Sequence, residues 1–295
     1  MLSYRHCTLC PRQCGVDRAA GELGFCRMPA QIRAARAALH RWEEPVISGH
    51  SGSGAIFFSG CTLRCCFCQN QEISAGGFGT ELSSAQLRRV MENLIAQGAE
   101  SIDLVTPTHF LPSILPALTP KLPVPVVYNC GGYERVQTLR QLQGLVDVYL
   151  PDLKYADDAL AARLSAAPDY FAVATAAIRE MVRQTGPCVL QNGKLVRGVL
   201  IRHLVLPGAV GNTLDVLDWI AQAFPPKTVM VSLMSQYVPV GSQQPPLDRP
   251  LTEDEYAAAE SWLELCGLDW GFTQELDSAQ KQYTPDFDLT GLVHP

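Results

Sequence analysis

The sequence has no surplus of basic residues: 23 Lys and Arg stand against 29 Asp and Glu, a formal net charge of −6. No basic stripe breaks that balance. Nucleic acid is therefore not expected as a partner, because phosphate binding draws on clustered Lys and Arg. Also missing is any run of about 18 uncharged apolar residues, so no membrane span is expected. The opening "MLSYRHCTLCPRQCG" carries no apolar stretch of the length a secretory signal needs after its basic start. The compartment expected from these absences is the cytoplasm. No Gly-x-Gly-x-x-Gly opens a helix after the first apolar strand, which removes the main support for a dinucleotide-binding fold. Internal repeats and extended low-complexity segments are absent as well.

What is present is a chain of 295 residues, 47% apolar and 18% charged, the composition of an enzyme with a sizeable core. Beyond residue 50 short apolar runs alternate with amphipathic stretches. "AIFFSG" (55–60), "SIDLVT" (101–106), "VPVVYN" (124–129), "VDVYLPDLK" (146–154), "GVLIRHLVLPG" (198–208) and "TVMVSLMSQY" (228–237) read as strands. Helices are expected over 83–99, 110–118, 134–144, 156–165, 170–186, 212–224 and 252–267, the last opened by a Thr-x-x-Glu capping box. "WGFTQEL" (270–276) closes the series, and "VPVGSQQPPLDRPL" (238–251) reads as a surface loop. About six strand–helix units imply a parallel sheet covered by helices, in the form of a partial (β/α)6-type TIM-like barrel. In such barrels chemistry gathers at the C-terminal strand ends.

The eleven cysteines are unevenly placed. Cys7, Cys10, Cys14 and Cys26 form one group, while Cys61, Cys65, Cys66 and Cys68 form a second directly after "AIFF". In a reducing compartment this density reads as metal or cluster binding before disulfides. Cys61, Cys65 and Cys68 stand at Cys-x3-Cys-x2-Cys, a loop able to curl three thiolates together, with Gly60 easing the exit from the strand. A closed zinc site takes four ligands, usually as two separated pairs. Three close cysteines point instead to an iron–sulfur cube with one iron left open. Cys66 is read as a bystander, because adjacent residues seldom aim both side chains at one cube.

Phe67 completes Cys-x3-Cys-x-aromatic-Cys, and the stretch resembles the signature of the radical S-adenosylmethionine superfamily. "CTLCPRQCGVDRAAGELGFC", "WEEPVISG", "LVTPTHFLP", "VVYNCGGYERV", "VDVYLPDLKYAD", "IRHLVLPG" and "VSLMSQY" together resemble the pyruvate formate-lyase activating enzyme homologues of that superfamily. The resemblance implies a [4Fe–4S] cluster on Cys61, Cys65 and Cys68 whose open iron binds S-adenosylmethionine. It implies cleavage to a 5′-deoxyadenosyl radical that abstracts hydrogen from a substrate. By matching motifs it places Asn129 and Gly131 beside the nucleoside, Asp152 and Lys154 at the methionine moiety, and Arg202 on the next strand; Gln236 is a weaker candidate. His203, beside Arg202, points to the opposite face in a strand and reads as structural. Activating enzymes usually carry Gly-Gly-Glu after the second strand to hold the methionine amino group. Here that place reads "TPTH", so Thr106, Thr108 or His109 has to serve, and His109 is the choice.

The amino-terminal thiols, with Gly15, Gly21 and Gly24 for tight turns, satisfy a closed four-thiolate site. Zinc and a second iron–sulfur cluster both fit them. The expected organisation is a cysteine-rich segment over 1–48, the barrel over 49–280 and a tail over 281–295. The expected activity is that of an oxidoreductase resembling glycyl-radical-enzyme activases. Its partners would be a glycyl radical enzyme and an electron donor such as flavodoxin or ferredoxin. A radical enzyme acting on a small molecule or peptide, and a non-catalytic iron–sulfur electron carrier, are the alternatives.

Overall fold

Side chains of a strand alternate between its two faces, so each apolar run must satisfy an inner and an outer surface at once. In a computed structural model, which describes residues 2–241, 243–276 and 285–292, that alternation organises the whole sheet. The first half contains β1 (Ile32–His40), α1 (Pro45–Ser48), β2 (Ser53–Phe58), α2 (Gln71–Ser74), β3 (Thr80–Leu82), α3 (Ser84–Ala96), β4 (Ile102–Val105) and α4 (Leu111–Ala117). There follow β5 (Val126–Cys130), α5 (Val136–Leu139), β6 (Val148–Pro151), α6 (Asp158–Ser165), α7 (Tyr170–Thr185), β7 (Val189–Gln191) and β8 (Lys194–Leu204). Last come α8 (Val210–Ala223), β9 (Met230–Met234), α9 (Glu253–Leu265) and β10 (Gly271–Thr273).

The strand order is β10-β9-β8-β6-β5-β4-β2-β1-β3, with β7 paired to β8. From β2 to β10 every neighbouring pair is parallel, whereas β1 runs antiparallel to both β2 and β3. Among the described residues no pairing joins β10 to β3, so the barrel is partial, as the sequence implies.

Outward-facing Ile56, Phe58, Leu104, Tyr128, Tyr149, Ile201 and Leu233 pack beneath the helices. Inward-facing Val127, Val148, Leu150, Leu200 and Met230 form a smaller core closed by Val46 and Ile47 of α1. The segment "EPVIS" therefore plugs the barrel floor, and each plugging side chain contributes about 2 kcal/mol by leaving water. Ser83 and Thr252 cap α3 and α9 through reciprocal bonds with Gln86 and Glu255. Above the floor the inner face turns polar: Asn129 and Arg202 follow the apolar positions on their strands, Asp103 stands level with Val127, and Asp152 stands just past β6.

Three features depart from the sequence-based expectation. β1, β3 and the β7–β8 hairpin were not anticipated. The helix expected over 134–144 shrinks to α5 and a 3-10 turn at Arg140–Leu142, and Glu134 instead bonds Thr108 and Tyr128 on the outer face of the sheet. Within the expected tail, residues 285–292 lie on β1, where Leu289 N–H donates to Ala35 O (3.0 Å) and Ala37 N–H to Thr290 O (2.8 Å). The boundary placed between 280 and 281 lies outside the described residues. The amino-terminal segment is seated by two arginines. Arg12 donates to the carbonyls of Thr62 and Ser165, and Arg18 to those of Met28, Pro29 and His109.

Candidate functional site

Past β2 the chain must turn sharply beneath the amino-terminal segment. Gly60 has φ +81°, and a Cβ there would lie 2.3 Å from Met28 Cγ and 3.0 Å from the Cys26 carbonyl oxygen. Only glycine meets both demands. The loop that follows gives each of three sulfurs a donor: Leu63 N–H to Cys61 Sγ (3.4 Å), the Ser165 hydroxyl to Cys65 Sγ (2.9 Å) and the Ser74 hydroxyl to Cys68 Sγ (3.3 Å). Cys66 is exposed.

Burial, then the neighbouring Cys65 thiol, pushes the Cys61 thiol up to about 12, and the same two causes raise Cys68. Cys61 and Cys68 thus ionise less easily than a free thiol, and positive iron would supply the missing charge. Among the described residues no three His, Cys, Asp or Glu side chains stand close enough to share one metal ion. A cube spreads its ligands over separate irons, so the donor set fits a cluster better than a single ion.

Beside this loop the inner polar face forms one connected network. Arg202 Nε donates to Asp152 Oδ1 (2.9 Å), one terminal nitrogen to Glu43 Oε1 (2.8 Å) and the other to Asn129 Oδ1 (2.8 Å). Asn129 Nδ2 donates to Glu43 Oε2 (3.1 Å) and approaches Asp103 Oδ2 (3.4 Å). Lys154 Nζ donates to Asp152 Oδ2 at 2.5 Å. Burial would raise the Asp152 carboxyl, but Arg202 and Lys154 outweigh it and hold it below its ordinary value. For Lys154 burial works downward, yet Asp152 and then the Cys65 thiol win and raise it. Gly131 lies between loop and strand end: a Cβ there would meet Leu63 Cδ1 at 2.8 Å and Lys154 Cε at 3.7 Å.

Asn129, Gly131, Asp152, Lys154 and Arg202 are therefore brought together, next to the thiol loop. Arg202 has each of its three nitrogens bonded to protein. His109 stands apart: its Nε2 meets the Ser59 carbonyl at 2.7 Å, its Nδ1 has no partner, and burial followed by Arg18 drops it to about 3. Thr108 faces away from the barrel interior, bonded to Glu134 (2.6 Å) and Tyr128 (3.0 Å). His203 also points outward, to Leu153 O (2.6 Å) and Thr213 Oγ1 (2.9 Å), as its strand position implies.

Two network members escaped the sequence. Asp103 is fully buried with Oδ1 unpartnered, and burial followed by Glu43 raises its carboxyl well above the ordinary value. A charge in the middle of the apolar run "SIDLVT" was the available signal. Glu43 precedes the floor plug and left no periodic trace. It also lines a cavity of about 840 Å³ together with Trp42, Glu44, Arg202, Met234 and Gln236. Burial, then Glu43, pushes the Glu44 carboxyl up to about 7.

In the amino-terminal group Cys7, Cys10 and Cys26 are buried and Cys14 is exposed, its sulfur accepting from Phe25 N–H at 3.3 Å. Cys10 and Cys26 each feel neighbouring thiols of the group, but no three close to single-ion distance.

No family model matches the chain. The uncharacterized protein MJ0674 of Methanocaldococcus jannaschii is 30% identical over 280 residues, covering 90% of this chain and 76% of that one. Among solved structures, SuiB of Streptococcus suis superposes with a TM-score of 0.50 at 14% identity over 77% of the chain. The chain spans about half the length of SuiB, 50%. A radical SAM methyltransferase from Sphaerobacter thermophilus gives 0.50 at 17% identity, covering 77% of this chain and 69% of that one. At such identities the likeness is one of fold.

Proposed function

The chain belongs to the family of MJ0674, and we propose, from the fold it shares with a radical SAM methyltransferase and from its cysteine loop, that it is a radical S-adenosylmethionine enzyme. Cys61, Cys65 and Cys68 hold a [4Fe–4S] cluster, and Asn129, Gly131, Asp152 and Lys154 receive S-adenosylmethionine. Together the bound groups supply a 5′-deoxyadenosyl radical that takes a hydrogen atom from substrate. The observation that supports this most is the Asp152–Lys154 pair, set at the strand ends beside three inward-turned thiols. The protein's own part is to hold the ligands, present the ammonium of Lys154 to a carboxylate, and keep water from the inner face.

The leading substrate is a glycine residue in a partner protein, presented through the open side of the barrel, with a flavodoxin or ferredoxin as electron donor. The cavity of about 840 Å³ favours a second reading, a small molecule, since such volumes suit ligands of that class. Anaerobic reconstitution with iron and sulfide, then dithionite and S-adenosylmethionine, should release 5′-deoxyadenosine. No release from fully loaded protein would leave the electron-carrier reading. A glycyl radical signal appearing when a candidate partner is added separates the two substrates.

A further inference from the structure

The polar network has a direction. Starting from the barrel floor, Glu43, Arg202, Asp152 and Lys154 alternate in sign, each bonded to the next at 2.8, 2.9 and 2.5 Å. Asn129 clasps the first link from both sides, donating to Glu43 and accepting from Arg202. The base of the chain is firmly set. Ser48 Oγ donates to the Glu43 carbonyl (3.0 Å), Ser101 Oγ to the Ile47 carbonyl (3.3 Å), and Val46 and Ile47 are locked in the floor core. A half-buried, charge-balanced chain on a packed base fixes the geometry of its last member.

Glu43 takes no part in the apolar plug; half-buried on the cavity wall, it turns its carboxylate to Arg202 and Asn129. Arg202 spends three of its five N–H donors on Glu43, Asn129 and Asp152, so the chain runs through it unbroken.

We infer that Glu43 is a positioning residue: acting through Arg202 and Asp152, it sets the Lys154 ammonium, so that the cavity wall and the cofactor face move as one unit. The inference rests on the proposed contact between Lys154 and the methionine carboxylate.

The test is anaerobic equilibrium dialysis of cluster-loaded wild type, Glu43→Gln, Lys154→Met and the double variant. Two probes are used, S-adenosylmethionine and 5′-methylthioadenosine, which lacks the amino-acid arm. Glu43→Gln should weaken S-adenosylmethionine about tenfold, because Asn129 then faces an amide donor and one charge is gone. Binding of 5′-methylthioadenosine should not change. In the Lys154→Met background Glu43→Gln should add nothing, since residues acting through one group are non-additive. Wild-type affinity in Glu43→Gln, or losses that multiply in the double variant, would overturn the inference. If Glu43→Gln fails to load iron, Glu43→Asp keeps the charge but loses reach, and it should show the same selective loss; wild-type affinity there overturns it equally. Should the wild type itself bind no S-adenosylmethionine, the functional proposal falls rather than the role of Glu43.

Discussion

The Ser165 hydroxyl donates to the Cys65 sulfur at 2.9 Å, tying the end of α6 to the thiol loop after β2. Tyr155 backs the same hydroxyl at 2.7 Å, and Arg12 holds the Ser165 carbonyl at 2.8 Å. Hydrogen bonds to cluster sulfurs stabilise the reduced, more negative state and so raise the potential. Ser165→Ala should therefore still load a cluster, but with a midpoint potential lower by about 50 mV, the equivalent of one lost hydrogen bond in a one-electron couple. A redox titration followed by electron paramagnetic resonance checks it. An unchanged potential would mean the bond does not form on the loaded loop.

That bond also shows what a linear reading sees and what it does not. The thiol spacing lies within eight positions of sequence, and the motifs around Asn129, Asp152 and Arg202 sit at the ends of apolar runs. Both were legible. Ser165 and Glu43 reach the site across long separations, 100 residues to Cys65 and 159 to Arg202, where no local pattern announces them. Of the strands, those buried on both faces were readable from continuous apolar runs. β1 was not: "IRAARAALH" mixes helix-favouring Ala with two arginines. It holds as a strand because it pairs with β2 and β3 and buries Ala34, Ala35 and Ala37, while Arg33 and Arg36 reach Glu81 and Asp288 at the surface. The choice of His109 followed from its place in "TPTH", but the 3-10 turn at Thr108–Phe110 rotates its ring beneath Ser59, away from the network.

The choice of three ligands from four cysteines can be tested directly. Cys61, Cys65 and Cys68 each carry a donor on sulfur, and Cys65 sits close enough to raise the pKa of the other two, whereas Cys66 is exposed. Cys65→Ala and Cys68→Ala should lose the visible charge-transfer absorbance and nearly all iron and sulfide after reconstitution. Cys66→Ala should keep both at wild-type level. Loss of iron in Cys66→Ala would reassign the ligands.

Glu100 anchors the floor from outside the barrel. Its carboxylate takes Lys194 Nζ at 2.5 Å and the N–H groups of His50 (2.8 Å) and Ser51 (2.7 Å). The Lys194 bond first, then the backbone donors, hold it at about 2, against an ordinary 4.5. A carboxyl depressed in the folded state adds stability above its unfolded value and loses it as pH falls toward the folded one. Glu100→Gln should thus cost about 1–2 kcal/mol at pH 7. The gap should close between pH 4.5 and about 2, as denaturant melts at several pH values would show. A gap constant across that window would assign the loss to packing instead.

Glu134 carries the opposite sign. It is fully enclosed between Thr108 (2.6 Å) and Tyr128 (3.3 Å), and burial, outweighing those bonds, pushes its carboxyl up to about 7 from an ordinary 4.5. The folded protein therefore keeps a proton that the unfolded chain releases as pH rises from 4.5 to about 7. Across that window the group lowers stability progressively, reaching a penalty of up to about 3 kcal/mol. Glutamine has no proton to lose. Its carbonyl accepts from Thr108, and its amide donates to a Tyr128 hydroxyl that itself points at Thr108 Oγ1. Glu134→Gln should match the wild type near pH 4.5, gain on it steadily, and hold a constant advantage above pH 7. A variant less stable than wild type at pH 8 would mean that the ionised carboxylate has a cation beside it. The amino-terminal segment, whose Arg135–Thr8 bond lies one residue away, is where that cation would then be sought.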